Sequence, residues 1–206
     1  ASCADPKELR RLLERMYRRG VQGVILVAVL KPGLPCDELW KRFCVVNAGP
    51  CTVNLPFHRV KADYMGGVQQ ACQIIHERGY RRIGPALFRH YELIDDDLER
   101  YSGYAGVEEV YVPDLSKRIP VLQSSHHDAA SFYAWMREHR PDAVLGFHPT
   151  VHFWMRTARE RWMHRVAFAA LRGMGPREPL GNISCMLSNE PECSRAAMHF
   201  MDQLIR

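Results

Sequence analysis

The chain has 206 residues, enough for one large domain or two smaller lobes. Its 47% hydrophobic and 25% charged content excludes a disordered or fibrous polypeptide. The formal net charge of +5 is a mild basic excess. Its arginines are spread over helices, which reads as solvated helix faces rather than a nucleic-acid surface, and no compact helix-turn-helix module stands in the chain.

In chain order, Pro6 to Arg19 reads as a helix, with Leu9, Leu12, Leu13, Met16 and Tyr17 at helical spacing and Gly20 as its stop. Val24 to Leu30 is a continuous apolar run of the kind that forms a parallel strand covered on both faces. It is the longest such run and is too short to cross a bilayer. Phe43 to Asn47 reads as a second strand and Cys51 to Asn54 as a third. Asp63 is placed to cap a helix from Tyr64 to Arg78, closed by Gly79. A strand over Arg82 to Phe88 and a helix over Asp95 to Glu109 follow, the acidic run Asp95-Asp96-Asp97 reading as a solvated helix start. Pro120 to Gln123 reads as a short strand, Asp128 to His139 as an amphipathic helix and Ala143 to Phe147 as a strand. Pro149 suits the first turn of the next helix. Val166 to Leu171 and Ile183 to Leu187 complete the strands, and Glu192 to Ile205 is the closing helix. Repeated strand–helix alternation implies an α/β fold of parallel sheet flanked by helices. Ligands of such sheets bind beyond the carboxyl ends of the strands.

Seven cysteines (Cys3, Cys36, Cys44, Cys51, Cys72, Cys185 and Cys193) form no disulfide or zinc spacing. They read as reduced, buried thiols. With no apolar signal core in Ala1 to Arg10, this favours a cytoplasmic location without a membrane partner. No Gly-x-Ser-x-Gly elbow, Walker loop or dinucleotide fingerprint occurs, so neither catalysis nor a cofactor is expected. His148 and His152 share helical spacing and His126 and His127 are adjacent, which leaves a metal-dependent enzyme as a minor alternative.

Several segments together resemble the effector-binding core of LacI/GalR-family transcriptional regulators. Arg18-Arg19-Gly20-Val21-Gln22-Gly23-Val24-Ile25-Leu26 resembles the family's G-V-D-G-I-I, and Asp63-Tyr64-Met65-Gly66-Gly67 its D-N-Y-x-G-G. Glu77-Arg78-Gly79-Tyr80-Arg81-Arg82-Ile83-Gly84 is similar to E-L-G-H-R-R-I-G. Arg100-Tyr101-Ser102-Gly103-Tyr104 matches R-x-x-G-[FY], and Arg140-Pro141-Asp142-Ala143-Val144 the P-D-A-[IV] strand start. Two places depart from the pattern. A-N-D is replaced by Phe147-His148-Pro149, and G-[YF]-D-[DN] by Phe168-Ala169-Ala170-Leu171.

The resemblance implies a two-lobe fold of the type I periplasmic-binding-protein kind. The first lobe is expected over 1–88 plus 188–206, incomplete at its start, and the second over 89–187, with a ligand cleft between them. It implies a small polar effector, a saccharide or derivative, operator DNA bound through a helix-turn-helix absent from this chain, and a homodimer. A solute-binding protein of a sugar transporter has the same fold and is the alternative. Arg100 is the expected ligand-gripping residue, since a guanidinium holds vicinal hydroxyls or a carboxylate bidentately. The plainer role for Arg100 is an ion pair with Asp96 or Asp97 one turn back. His148, Asp63, Tyr64, Ser124 and Ser188 are its expected companions. Capping is the plainer role for Asp63 and His148, and packing for Tyr64.

Overall fold

The computed structural model describes residues 6–27, 38–48, 57–88, 94–122, 124, 128–171, 184–185 and 190–206. Two compact units result. The first comprises Ala1–Ala62, Ile94–Asp96 and Asn189–Arg206, and the second Asp63–Leu93 and Asp97–Ser188.

The first unit is built on three parallel strands in the order β1-β2-β3: Gly23–Leu26, Cys44–Asn47 and His58–Arg59. Successive side chains of a strand alternate faces, and the two faces meet different helices. Val24, Leu26 and Val45 pack with Leu9, Leu13 and Met16 of helix α1 (Pro6–Arg18). Ile25 and Val46 pack with Ala197 and Met201 of helix α6 (Glu190–Ile205). A 3-10 turn, Trp40–Arg42, adds Trp40 to the α1 side. Strand β3 is only two residues long and carries no periodic signal. The expected strand over Cys51 to Asn54 lies outside the described residues.

The second unit has four parallel strands in the order β4-β5-β6-β7: Ile83–Ala86, Ala143–Gly146, Ala167–Ala170 and Ser184–Cys185. Its helices are α2 (Tyr64–Glu77), α3 (Asp95–Tyr111, whose first two residues belong to the first unit), α4 (Ala129–His139) and α5 (Thr150–Thr157). Alternation again sorts the core. Ala143 and Leu145 face Val68, Ala71, Cys72 and Ile75 of α2 and Tyr104 and Val107 of α3. Val144 faces Phe132, Trp135 and Met136 of α4 and Val151, Trp154 and Met155 of α5. Each fully buried side chain of this size contributes about 1.5–3 kcal/mol through removal from water.

Two expectations are corrected. The sequence placed α2 and β4 in the first lobe, with a boundary at residue 88. In the structure β4 is hydrogen-bonded in parallel register to β5, Ile83 opposite Ala143 and Ala86 opposite Gly146. Both elements therefore belong to the second unit, which begins at Asp63. Chain order shows that a strand exists, not which of two parallel sheets it joins. The expected strand at Pro120 to Gln123 is also absent over its described residues, 120–122. Leu122 N–H donates to the Pro85 carbonyl at 2.9 Å, but no ladder follows.

No described helix is long and apolar enough to cross a membrane. Cys72 is fully buried on α2. Burial, helped by the charge of Glu108, pushes its thiol up to about 12. The thiolate is the reactive form, so native protein treated with iodoacetamide at pH 8 should leave Cys72 unmodified, whereas protein unfolded in urea should be labelled there. Peptide mass spectrometry reads the difference; labelling of Cys72 in the native state would contradict the burial described.

Candidate functional site

Arg100 lies on α3, 1% exposed, and is the largest fully buried side chain among the described residues. A guanidinium taken out of water needs a partner. Asp97, 0% exposed and one turn earlier on the same helix, accepts a hydrogen bond from its Nη2. The phenyl ring of Phe147 covers the guanidinium, with Cζ 3.9 Å from the ring centroid, and the Tyr64 ring stands at 5.8 Å. Both distances lie within reach of a cation–π attraction. Phe147 follows the last residue of β5, so the cluster sits at the carboxyl end of the second unit's sheet, where open α/β sheets bind ligands.

The structure therefore brings together Arg100 and Tyr64 of the expected residues. His148 is next in the chain to Phe147. Its Nδ1 accepts the Thr150 backbone N–H at 3.2 Å and lies 2.6 Å from Thr150 Oγ1, capping the start of α5. An Nδ1 that accepts from a backbone amide leaves the ring proton of the neutral imidazole on Nε2. Asp63 caps α2: its Oδ1 accepts the Gly66 N–H at 2.8 Å. A Cβ at Gly66 would strike that carboxylate, which explains a glycine at this place in the first turn. Ser124 donates from Oγ to Asp128 Oδ2 at 3.1 Å, within the cap of α4. Hydrogen bonds from Ser131 Oγ and N–H hold the Asp128 carboxyl below the usual carboxylate range. Ser188 lies outside the described residues.

Residue-by-residue reading of the sequence missed two features of the cluster. Phe147 reads as the end of a strand and as a departure from the family pattern, and only the structure shows its ring covering Arg100. The acidic run is not a solvated helix start. Asp96 is 4% and Asp97 0% exposed. Within the first unit, Arg59 of β3 donates to Asp95 through Nη1 and to Asp96 through Nη2, the latter at 3.3 Å. Buried carboxylates tolerate this position because the helix N-terminus and two arginines compensate them.

For the metal alternative, no group of three or more His, Cys, Asp or Glu side chains among the described residues is arranged to hold an ion. His148 is engaged with Thr150. The His152 ring packs on Phe168 at 5.3 Å, and burial, then the charge of Arg156, lowers its pKa. His126 and His127 lie outside the described residues.

No protein-family model matches the chain, and no curated protein matches it in sequence. Solved structures do match in fold. A regulatory protein of LacI family from Chloroflexus aggregans aligns at TM-score 0.75 and 20% identity, covering 95% of this chain and 73% of its own. The trehalose repressor from Escherichia coli aligns at TM-score 0.73 and 16% identity, over 99% and 78% of the two chains. A PurR family transcriptional regulator from Vibrio parahaemolyticus aligns at TM-score 0.71 and 14% identity, over 100% and 79%. The chain has the periplasmic-binding-protein-like fold of LacI-family transcriptional regulators.

Proposed function

We propose that the chain is the effector-sensing core of a bacterial transcriptional regulator, taking a small polar ligand, a saccharide or derivative, at the Arg100 cluster. The observation that carries this reading is the coincidence of a regulator fold over nearly the whole chain with a buried arginine at the carboxyl end of the β5 sheet. The partners that go with it are operator DNA, bound through a helix-turn-helix, and a second copy of the chain. Ligand binding changes DNA affinity only if the two events are coupled, and the coupling is reciprocal.

Arg100 has one guanidinium face under Phe147 and one edge on Asp97. The ligand reaches it by displacing the Phe147 ring, and the Asp97 charge favours a neutral ligand over an anionic one. Tyr64 stands beside the guanidinium, and His148, Asp63, Ser124 and Ser188 are the further ligand contacts we propose, the first three on exchange of their helix-cap hydrogen bonds.

A thermal-shift screen tests the reading with neutral sugars, trehalose among them, and their anionic counterparts. A binder at one hundred times its Kd stabilises by about 2.7 kcal/mol, which for a chain of this size is roughly 5–10 °C. Arg100→Lys, which keeps the charge, is expected to lose most of that shift relative to its own unliganded melting point. Equal shifts in both proteins would remove Arg100 from the site.

A further inference from the structure

Helix α1 sorts its residues by face. Leu9, Leu13 and Met16 pack into the first unit's core. On the opposite side Lys7, Arg11, Arg15 and Arg18 follow one another at spacings of four, four and three residues, a single stripe on a helix of 3.6 residues per turn. All four are exposed, and so is Arg19 beyond the helix end. Residues 6–20 hold six cations against two carboxylates, Glu8 and Glu14, a net of +4 within a chain whose total is +5. Helix α1 is thus one of the strongly basic segments of the chain.

Glu14 pairs with Arg10, off the stripe, at 3.4 Å. Among the described residues, Arg11, Arg15, Arg18 and Arg19 have no ion-pair partner. Beside the helix, Arg42 lies over the Tyr17 ring at 4.8 Å and adds a further exposed cation. Like charges one turn apart destabilise a helix, and this arrangement is relieved when a polyanion supplies the missing charge.

We propose that the outer face of α1 is a docking surface for the phosphate backbone of duplex DNA, gripped without regard to base sequence. Cα atoms four residues apart on a helix rise by about 6 Å. A DNA strand advances about 3.4 Å per phosphate along the axis and winds around it at the same time, so the spacing in space between neighbouring phosphates is close to that between successive arginines. Guanidinium forks suit phosphate oxygens bidentately. An anionic membrane fits less well, because the apolar side chains that would anchor the helix are committed to the core. An acidic peptide would need a groove, and the stripe is the convex side of a helix. The choice of DNA among polyanions rests on the regulator reading above. The surface itself lies in the first unit, apart from the Arg100 cluster of the second.

The test is fluorescence anisotropy of a labelled 20-base-pair mixed-sequence duplex, titrated with the full 206-residue chain between 20 and 200 mM salt. Three neutralised phosphates give a slope of about −3 in log K against log salt. Arg11→Gln/Arg15→Gln/Arg18→Gln should weaken binding about tenfold or more at low salt and flatten the slope by roughly 3. These are exposed positions, so its melting temperature should stay near wild type. Unchanged affinity and slope in the variant, or no duplex binding by wild type at 20 mM salt, would overturn the proposal. So would equally tight, equally stripe-dependent binding to vesicles of phosphatidylserine and phosphatidylcholine or to polyglutamate. A sugar-induced thermal shift retained by the triple variant separates this outcome from any failure of the Arg100 reading.

Discussion

Asp97→Ala is expected to destabilise the second unit by about 3–5 kcal/mol. The side chains of Asp97 and Arg100 are 0% and 1% exposed, so solvent does little to replace the lost carboxylate. Removing one charge of such a pair leaves the other desolvated, which costs far more than an exposed pair is worth. Replacing both partners by apolar groups of similar size removes that penalty, and the Phe147 ring already supplies an apolar neighbour. Asp97→Leu/Arg100→Met should therefore lie much closer to wild type than Asp97→Ala alone. Urea unfolding followed by tryptophan fluorescence measures both, because Trp135 and Trp154 are buried in this unit. A loss below about 0.5 kcal/mol for Asp97→Ala, the range of ordinary surface changes, would show that the pair is not held away from water. The cycle also separates two roles of Arg100. A double variant that folds well but shows no sugar-induced thermal shift assigns the arginine to ligand binding and not to scaffolding.

The parts of the structure legible in the sequence are those written in local chemistry. The apolar runs at Val24–Leu26 and Ala143–Gly146 became strands because each is covered by helices on both faces. Asp63 and Asp128 became helix caps because a short carboxylate at that place accepts an otherwise unpaired amide. The features that escaped depend on what the chain meets in space. The membership of β4 was hidden because both sheets are parallel, and only its register with β5 decides it. The Asp97–Arg100 pair was open to view as a one-turn spacing, but the burial of the acidic run depends on Arg59 reaching Asp96 and on Phe147 covering Arg100, which chain order does not show. Of the expected site, Arg100 with Tyr64 stands as a cluster, while Asp63, His148 and Ser124 are engaged in helix caps. A polar residue at a strand end or before a helix serves either purpose, and the sequence does not distinguish them.

Two glycines on α3 give opposite expected results when changed to alanine. Gly103 is the point where α3 comes against α2. A Cβ built there would lie 2.7 Å from the Met65 carbonyl oxygen and 3.2 Å from its Cα. The obstacle is backbone near the start of α2, so it cannot swing away as a side-chain tip would, and one helix must shift. Gly103→Ala should lose about 1–3 kcal/mol by overpacking. Gly106, one turn later, would meet only Gln69 Nε2 at 3.7 Å, an ordinary contact. There the helical preference of alanine is unopposed, and Gly106→Ala should gain about 0.5–1 kcal/mol. The same urea titrations check both. The consequence reaches the site, because Tyr64 precedes Met65 on α2 and Arg100 lies one turn before Gly103 on α3. The glycine of Arg-x-x-Gly-Tyr thus sets how closely the two helices approach and, with it, how the Tyr64 ring stands to the guanidinium. Gly103→Ala should therefore reduce the sugar-induced thermal shift along with stability, while Gly106→Ala leaves that shift intact. Equal stability in the two variants would mean that α3 does not approach α2 at Gly103.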